Sequence, residues 1–548
     1  MLVVKNGLIL DVLKSNKMKP ILLQIYDYSQ MFDSIDLQQA LSDLYDVGVN
    51  DDTLALLHEA NKTIEMAVKT PSGLTDRQTI KNCVLQGDTF GSIMASVQVD
   101  SIGKECVTEG YTYLYKDELP VGFLGLVDDV IGITEAGIEA QKLNAFINIK
   151  TAEKALQFGP TKCKSMLVGK NTKNVINSKL MVDKWTENYT ENSLTGEADL
   201  KEIFCGLTEI DQTSEQKYLG FVLSNTGDNM ANIGALKKKS IGIIRSTLNK
   251  LNCLNLGPYY FECAIILMNV MVRGSLLYAC DMYYDLKETE LRQIERMEES
   301  YLRQVLKTSK GCPITELYLS VGQHPARFEI QKMRLLYFKY ILHEEETSLI
   351  SKFFYLQLNQ PTKGDWVSTC LNDIKQLHID MSLEDIKLMS EQKFRNLLKL
   401  KVKESAFSYL IGKQKSKGKE NKYEDLSMSE YLLPTNKTLT IVEKQTMFSV
   451  KNRMIRIPAN FPKPKTEYNC VCNEKEDMQH VYYCEILNKG RSTKIEYEKL
   501  YNGTISEQIE IFRQFERNME EREQLLKEET SPRDPSVIHC IRQDIVMD

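Results

Sequence analysis

Residues 124–133 read LGLVDDVIGI, with two adjacent carboxylates, Asp128 and Asp129, set between two short apolar runs. Apolar, turn, apolar over so short a span predicts a β-hairpin with the acids at its tip. Two carboxylates side by side repel unless a cation neutralises them, and hard divalent cations such as Mg²⁺ accept oxygen-only ligation. An isolated Asp-Asp is ordinarily a solvated acidic turn. The residues upstream of it carry the further reading.

Those residues alternate in type. ILLQIYDY at 21–28 reads as a strand reaching Asp27, and 37–47 as a helix with Leu37, Ala40, Leu41, Leu44 and Tyr45 on one face. Asp33 and Asp36 sit where helix-start charges belong. A further short helix is expected at 51–60. Two β-like runs, 63–69 and 77–85, flank a Pro71–Gly73 turn. An amphipathic segment at 86–103 has Asp88 or Thr89 as its expected cap. After the hairpin come a helix at 136–158 and a strand at 162–168. This order predicts an α+β domain whose antiparallel sheet is covered by helices on one face.

Further on, 204–208 and 218–223 read as strands. Long helices are expected at 235–251, 260–278, 287–306 and 329–343, and weakly patterned helix as far as 440. The lysine-rich stretch 413–422 reads as a solvated loop. The tail, 506–529, reads as a charged helix, solvent-exposed or a coiled-coil partner.

At 548 residues the chain has room for about three or four domains. Apolar residues at 42% and charged residues at 26% make an ordinary globular composition and argue against disorder. The opening residues lack a basic lead and a cleavage site, which predicts an intracellular protein, nuclear or cytoplasmic, and not a secreted one. The most apolar stretch, 259–272, is interrupted by Glu262 and Asn269 and is too short for a bilayer, so no membrane partner is expected. The thirteen cysteines are then reduced thiols rather than a disulfide framework. A net charge of −6 argues against nucleic-acid binding unless positive charge is concentrated locally.

Taken together, the motifs resemble the palm of reverse transcriptases, most closely those of non-LTR (LINE-type) retrotransposons. The motifs that carry the likeness stand in the family's order: Asp27-Tyr28-Ser29-Gln30-Met31-Phe32-Asp33, Gln86-Gly87-Asp88, Val127-Asp128-Asp129, Lys162, and Lys217-Tyr218-Leu219-Gly220. The resemblance implies RNA-directed DNA synthesis from dNTPs, with an RNA template and a DNA primer or target as partners. Two Mg²⁺ ions roughly 3.5–4 Å apart would be held by Asp27 and Asp128. Asp129 is a third candidate ligand, with a structural role as its other reading.

The resemblance assigns further roles. Tyr28 would lend a backbone carbonyl to a metal, and Phe32 would exclude a 2′-hydroxyl by bulk. Gln86 and Gly87 would let the backbone approach the nucleotide and template base. Lys162 would lie near the triphosphate as an acid for pyrophosphate. Tyr218, Leu219 and Gly220 would form the primer grip. Taken singly, Phe32 is a core aromatic, Gln86-Gly87 a turn and Lys162 a surface lysine; order and spacing raise them above that.

The likeness divides the chain into a remnant of a fingers region (1–20), the palm (21–225), a helical thumb-like region (226–357) and a helical linker (358–450). A basic patch with a Cys/His motif (451–490) and a charged helical tail (491–548) complete it. It departs from the family at Leu126-Val127, where an aromatic and a small residue are usual, at Asp88, where proline is common, and at Gly159, where asparagine is. The family's fingers region is longer than 1–20, so the resemblance implies an N-terminally truncated enzyme and little or no dNTP incorporation by this chain alone. Residues 1–170 hold sixteen Lys and Arg against twenty-two Asp and Glu, which agrees with weak template binding. The alternative is a truncated or domesticated remnant without catalysis, acting as a nucleic-acid or protein binding module.

Near the C-terminus, Cys470, Cys472, His480 and Cys484 read C-x-C-x7-H-x3-C. Three thiolates and one imidazole form a closed tetrahedral zinc set. Lys451, Arg453, Arg456, Lys463 and Lys465 precede it as a basic patch. The surrounding sequence resembles the Cys/His motif of many non-LTR polymerases, although its first pair is tighter than their C-x-x-C.

Overall fold

Strand β1 (Ile21–Asp27) buries six residues in succession, with no polar alternation, as a strand does when it is covered on both sides. The computed structural model describes residues 4, 7–9, 12–13, 19–62, 64–80, 90–169, 181–182, 208–417, 423–452, 454, 470, 472, 474, 478–488 and 497–529. They form a mixed α+β protein that divides into two compact units. Unit 1 comprises 1–235, 282–285 and 338–371, and unit 2 the remainder.

In unit 1, β1 is followed by α1 (Met31–Ser34), α2 (Leu37–Asp46) and α3 (Asp51–Asn61). Asp36 caps α2 by accepting from the Gln39 amide, as its position predicts. Strands β2 (Ile64–Met66) and β5 (Gln78–Ile80) pair around the small hairpin β3 (Lys69–Thr70) and β4 (Gly73–Leu74). Helix α4 (Gly91–Thr108) begins after Phe90, which offers no side-chain cap. Asp88 and Thr89, the expected caps, lie outside the described residues. The hairpin β6 (Tyr113–Tyr115) and β7 (Leu119–Val121) leads to β8 (Phe123–Leu126), β9 (Asp129–Glu135), α5 (Ile138–Glu153) and β10 (Lys164–Val168). Short pairs follow: β11 (Met181–Val182) with β12 (Thr208–Glu209), the edge strand β13 (Asp211–Gln212), then β14 (Glu215–Tyr218) with β15 (Phe221–Ser224).

The central sheet runs β13-β10-β1-β9-β8. Its pairings are antiparallel except at the β13 edge, which is parallel to β10, so the sheet is mixed rather than purely antiparallel. Met94, Ala95, Val99 and Ile102 of α4 and Ala140, Leu143 and Ile147 of α5 pack with Leu22, Tyr26 and Val130 of the sheet. Ile21, Leu23 and Ile25 on the opposite face of β1 are buried as well, which removes the expected one-sided pattern. At Gly132 a Cβ would lie 3.0 Å from the Leu143 side chain and 3.3 Å from that of Ile147, so a larger residue would make both side chains of α5 shift.

Helix α5 is shorter than the 136–158 expected. Ala155 takes φ 55°, and the amides of Ala155 and Leu156 return to the carbonyls of Ala152 and Thr151. That double closure ends a helix even without glycine. The expected single strand 218–223 is broken by a hairpin turn: Tyr218 ends β14 and Phe221–Ser224 form β15. Leu219 and Gly220 take φ 48° and 77° between β14 and β15, the two left-handed positions of a two-residue turn.

Polar groups inside unit 1 are mostly satisfied. Gln24 donates to the Ala140 carbonyl at 2.8 Å, Tyr26 reaches Asn144, and buried Lys154 pairs with Asp43 at 2.9 Å. Gln98 on α4 differs: it is fully buried, and neither amide atom finds a hydrogen-bond partner among the described residues. Such groups keep their desolvation cost. Gln98→Met, which keeps the shape, is expected to stabilise the protein by about 1–3 kcal/mol, read as a higher urea midpoint with unchanged slope.

Unit 2 is helical. It takes in most of α6 (Met230–Cys253), then α7 (Tyr260–Leu267), α8 (Glu288–Val305), α9 (Ile314–Ser320) and the first part of α10 (Ala326–His343). Helices α11 (Leu349–Asn359) and α12 (Trp366–Gln376) follow in the chain, then α13 (Leu383–Leu388), α14 (Glu391–Lys415) and α15 (Ile441–Lys451). The expected single helix 260–278 is interrupted by π-helical Met268–Arg273. Helix α14 runs through Lys415, where a loop was expected, and Lys413 stands 4.3 Å from the Tyr409 ring centre.

The last described elements are α16 (Met478–Tyr483), α17 (Glu485–Asn488), α18 (Lys499–Asn502) and α19 (Ile505–Glu529). Despite its charge, α19 is not solvent-exposed all round. Ile509, Phe512 and Phe515 are buried, and the helix packs on α16, α17 and α18. Burial, then the charges of Glu443 and Glu520, push the Glu516 carboxyl up to about 7, against Arg513. An unfolded Glu titrates at about 4.3. The native state therefore holds the proton more tightly, and stability falls as pH rises from about 4.3 to about 7. Glu516→Gln should flatten that decline, measured by urea unfolding at pH 5 and pH 8.

Candidate functional site

The carboxylate tip is assembled by strand register. Asp27, the last residue of β1, faces Asp129, the first of β9. Leu126 pairs with Asp129 and closes the β8–β9 hairpin, leaving Val127 and Asp128 as its two-residue turn. Val127 takes φ 54°, a left-handed conformation that costs a β-branched residue on the order of 1–3 kcal/mol. Strain is thus stored beside an exposed Asp128.

A tight turn before β10 brings in Lys162. The Gly159 amide donates to the Asp27 carbonyl at 2.8 Å, and the Lys162 amide to Gly159. The Lys162 ammonium then lies 3.0 Å from Asp27 Oδ1. Its pKa is raised, first by that hydrogen bond, then by the Asp27 charge, with a smaller contribution from Asp128. From the β14–β15 hairpin, the Tyr218 hydroxyl donates to the Asp129 carbonyl at 3.1 Å. Burial pushes its pKa well up, so it remains a donor.

The fold therefore gathers Asp27, Asp128, Asp129, Lys162 and Tyr218. Leu219 and Gly220 form the turn beyond Tyr218. Tyr28 is a core residue by its side chain, with its ring stacked on Phe158 at 4.9 Å. Phe32, in α1, is half-buried against the same core. Gln86 and Gly87 lie outside the described residues. Two contacts went unread in the sequence: Tyr218 with Asp129, and Gly159, whose added Cβ would lie 3.5 Å from Asp27 Oδ1. The first joins two separate sheets across 89 residues of sequence, so no local pattern announces it; the second is hidden because a lone glycine signals only a turn.

The second site is the Cys/His group. The candidate ligand atoms of Cys470, Cys472, His480 and Cys484 all lie within 4.8 Å of one another. Cys470 Sγ and Cys484 Sγ are 3.6 Å apart, and Cys472 Sγ is 3.2 Å from His480 Nε2. Zn–S bonds of about 2.3 Å set at tetrahedral angles separate sulfurs by about 3.8 Å. The group is the size of such a centre and can hold a metal such as zinc. Burial, the main cause, pushes the Cys470 thiol up to about 12, a cost that a bound cation would reverse. Glu474 Oε2 lies 3.3 Å from His480 Nδ1, which leaves Nε2 facing the sulfurs. Of the basic patch, Arg453, Arg456, Lys463 and Lys465 lie outside the described residues.

Chelator-treated protein should take up one Co²⁺ per chain with a thiolate-to-metal absorption band. Persistence of an identical band in His480→Ala would remove the imidazole from the ligand set.

No family model matches the chain, and no curated protein is recognisably similar to it. Among the described residues, no helix is long and apolar enough to cross a membrane.

Proposed function

We propose that unit 1 carries a polymerase palm of the reverse-transcriptase kind, and that the chain extends a DNA primer on an RNA template from dNTPs. The observation that supports this most is the register of Asp27 against Asp129, with Asp128 in the adjoining turn and Lys162 beside them. Phosphoryl transfer of this type needs carboxylates from separate strands at one point, and little else from the protein by way of covalent chemistry. Asp27 and Asp128, with Asp129 as the third candidate, offer oxygen-only donors that would hold Mg²⁺, whose chemistry is activation of the primer hydroxyl and neutralisation of the triphosphate.

The chain's own residues supply the rest. Lys162 is placed to donate a proton to departing pyrophosphate while its charge offsets the phosphates. Tyr218 holds the Asp129 backbone, and through it the start of β9. Helix α6 carries Lys237, Lys238, Lys239, Arg245 and Lys250, all exposed, and no acidic residue, in a chain of net negative charge. Such a helix suits a phosphate backbone.

A nucleic-acid binding module without chemistry is the second reading, favoured by the basic, acid-free composition of α6, which binding alone accounts for. The test is dNTP incorporation on a primed RNA with and without Mg²⁺, by the chain alone and with a family fingers region fused ahead of it. Mg²⁺-dependent incorporation in either form supports the polymerase. Salt-sensitive binding with no incorporation in both forms selects the second reading.

A further inference from the structure

Helix α19 bears directly on the Cys/His group. The Cys/His group is built on very short elements: α16 has six residues, and α17 and α18 four each. Helices of this length do not hold themselves together in water. Their order has to come from what they are tied to.

One tie is α19. Helix α16 stops at Tyr483, and Cys484 follows as a break before α17. A helix end leaves its last carbonyls without intrahelical partners. The carbonyl of Val481, one of these, accepts from Asn518 Nδ2 of α19 at 2.7 Å. Asn518 is itself buried and oriented, since its Oδ1 accepts from Gln514 at 2.8 Å. Two turns further along α19, Leu525 packs against the cluster of Cys470, Cys472, Cys484 and Leu487. Tyr482, between the ligands His480 and Cys484, has its ring centre 5.6 Å from that of Phe515. Helix α19 thus reaches the break that aims Cys484, and the apolar side of the thiols.

Resting on the reading of Cys470, Cys472, His480 and Cys484 as a metal centre, we propose that α19 is its structural wall, so that metal occupancy and docking of Ile505–Glu529 are one linked equilibrium. Asn518 and Leu525 are positioning residues: they touch no metal, but fix the peptide and the apolar surface from which the ligands project. Removing the metal removes the cross-link between Cys470, Cys472 and α16, and with it the surface on which α19 rests. Linkage makes the effect reciprocal, so loosening α19 weakens metal binding by the same factor.

The full-length protein tests this in two arms. In the first, hydrogen exchange across 505–529 is followed after chelation and after Zn²⁺ is returned, with β1 as an internal control. Chelation should speed exchange in α19 at least about tenfold and leave β1 unchanged. In the second, Zn²⁺ affinity is measured by competition with a chromophoric chelator for Asn518→Ala and Leu525→Ala. Each should bind about 10–100-fold more weakly, the range for residues that orient ligands, with β1 exchange confirming that the chain is folded. Zn²⁺ uptake with unchanged α19 exchange, or wild-type affinity in both variants, overturns the linkage while leaving the metal centre intact. No uptake by the wild-type chain defeats the metal centre and the proposal with it.

Discussion

In the form fused to a fingers region, Asp128→Ala is expected to lower Mg²⁺-dependent nucleotide incorporation by at least about 10²–10³-fold, the usual cost of removing one group that stabilises developing charge, and to leave the unfolding midpoint unchanged or slightly raised. The two halves of this expectation have one cause. Asp128 is exposed in the β8–β9 turn, outside the packed core. It stands beside Asp129 in the chain and close enough to Lys162 to act on its charge, so it adds negative charge where Asp27 and Asp129 already face one another. Removing it relieves repulsion in the folded protein. A surface turn selected for stability alone would not place a carboxylate next to Val127 in a left-handed conformation.

The comparison with Lys162→Ala sharpens the test. Its ion pair with Asp27 is largely exposed and is worth little to stability. If Lys162 protonates the leaving group, its loss should flatten the alkaline limb of the pH–rate profile as well as lower the rate. Incorporation by Asp128→Ala at the wild-type rate would end the polymerase reading, whatever the binding data showed.

The parts of this fold that were legible are those fixed over short spans. The 124–133 hairpin shows because acids interrupt two apolar runs, and the start of α2 because the charge of Asp36 precedes a clear apolar stripe. The Cys/His group shows because four ligand residues crowd fifteen positions. What was not legible depends on distant partners or on one signal masking another. In YLGFVL the apolar run hides the turn, although Gly220 was the cue for it. Helix α19 looks solvated by composition, while its Ile509, Phe512 and Phe515 stripe is the part that packs. On α8, Glu290, Glu295, Glu298 and Glu299 are all buried, which glutamates are not by composition alone. Two of their cations come from elsewhere in the chain, Arg273 from the π-helical segment and Arg327 from α10. No local pattern announces such pairs.

The Arg273 pair gives the largest expected effect on stability. Glu298 is fully buried and takes Arg273 Nε at 2.7 Å and the Tyr318 hydroxyl at 3.1 Å. Arg273 also donates to Asn269 and to the His324 carbonyl, so it joins the π-helical segment, α8 and the turn before α10. Burial pushes the Glu298 carboxyl up, and Arg273 is the main group opposing it. Arg273→Met would leave that carboxylate with a single hydroxyl partner in a dry site. Breaking a buried pair from one side costs about 3–5 kcal/mol, and the carboxyl would take up a proton to limit the loss. Because the native pKa then lies above the unfolded one, the variant should be least stable at high pH and recover as pH falls toward about 4.3. Replacing both partners removes the stranded charge, so Arg273→Met with Glu298→Met should regain most of the loss, since apolar replacements of buried pairs are often neutral or stabilising by about 1–4 kcal/mol. Urea unfolding of the two singles and the double at pH 5 and pH 8 reads all of this in one cycle. A single-variant loss below about 1 kcal/mol, the range of exposed pairs, or a double variant no better than the worse single, would mean that the pair is wet and that the buried glutamates of α8 are held by something other than their cations.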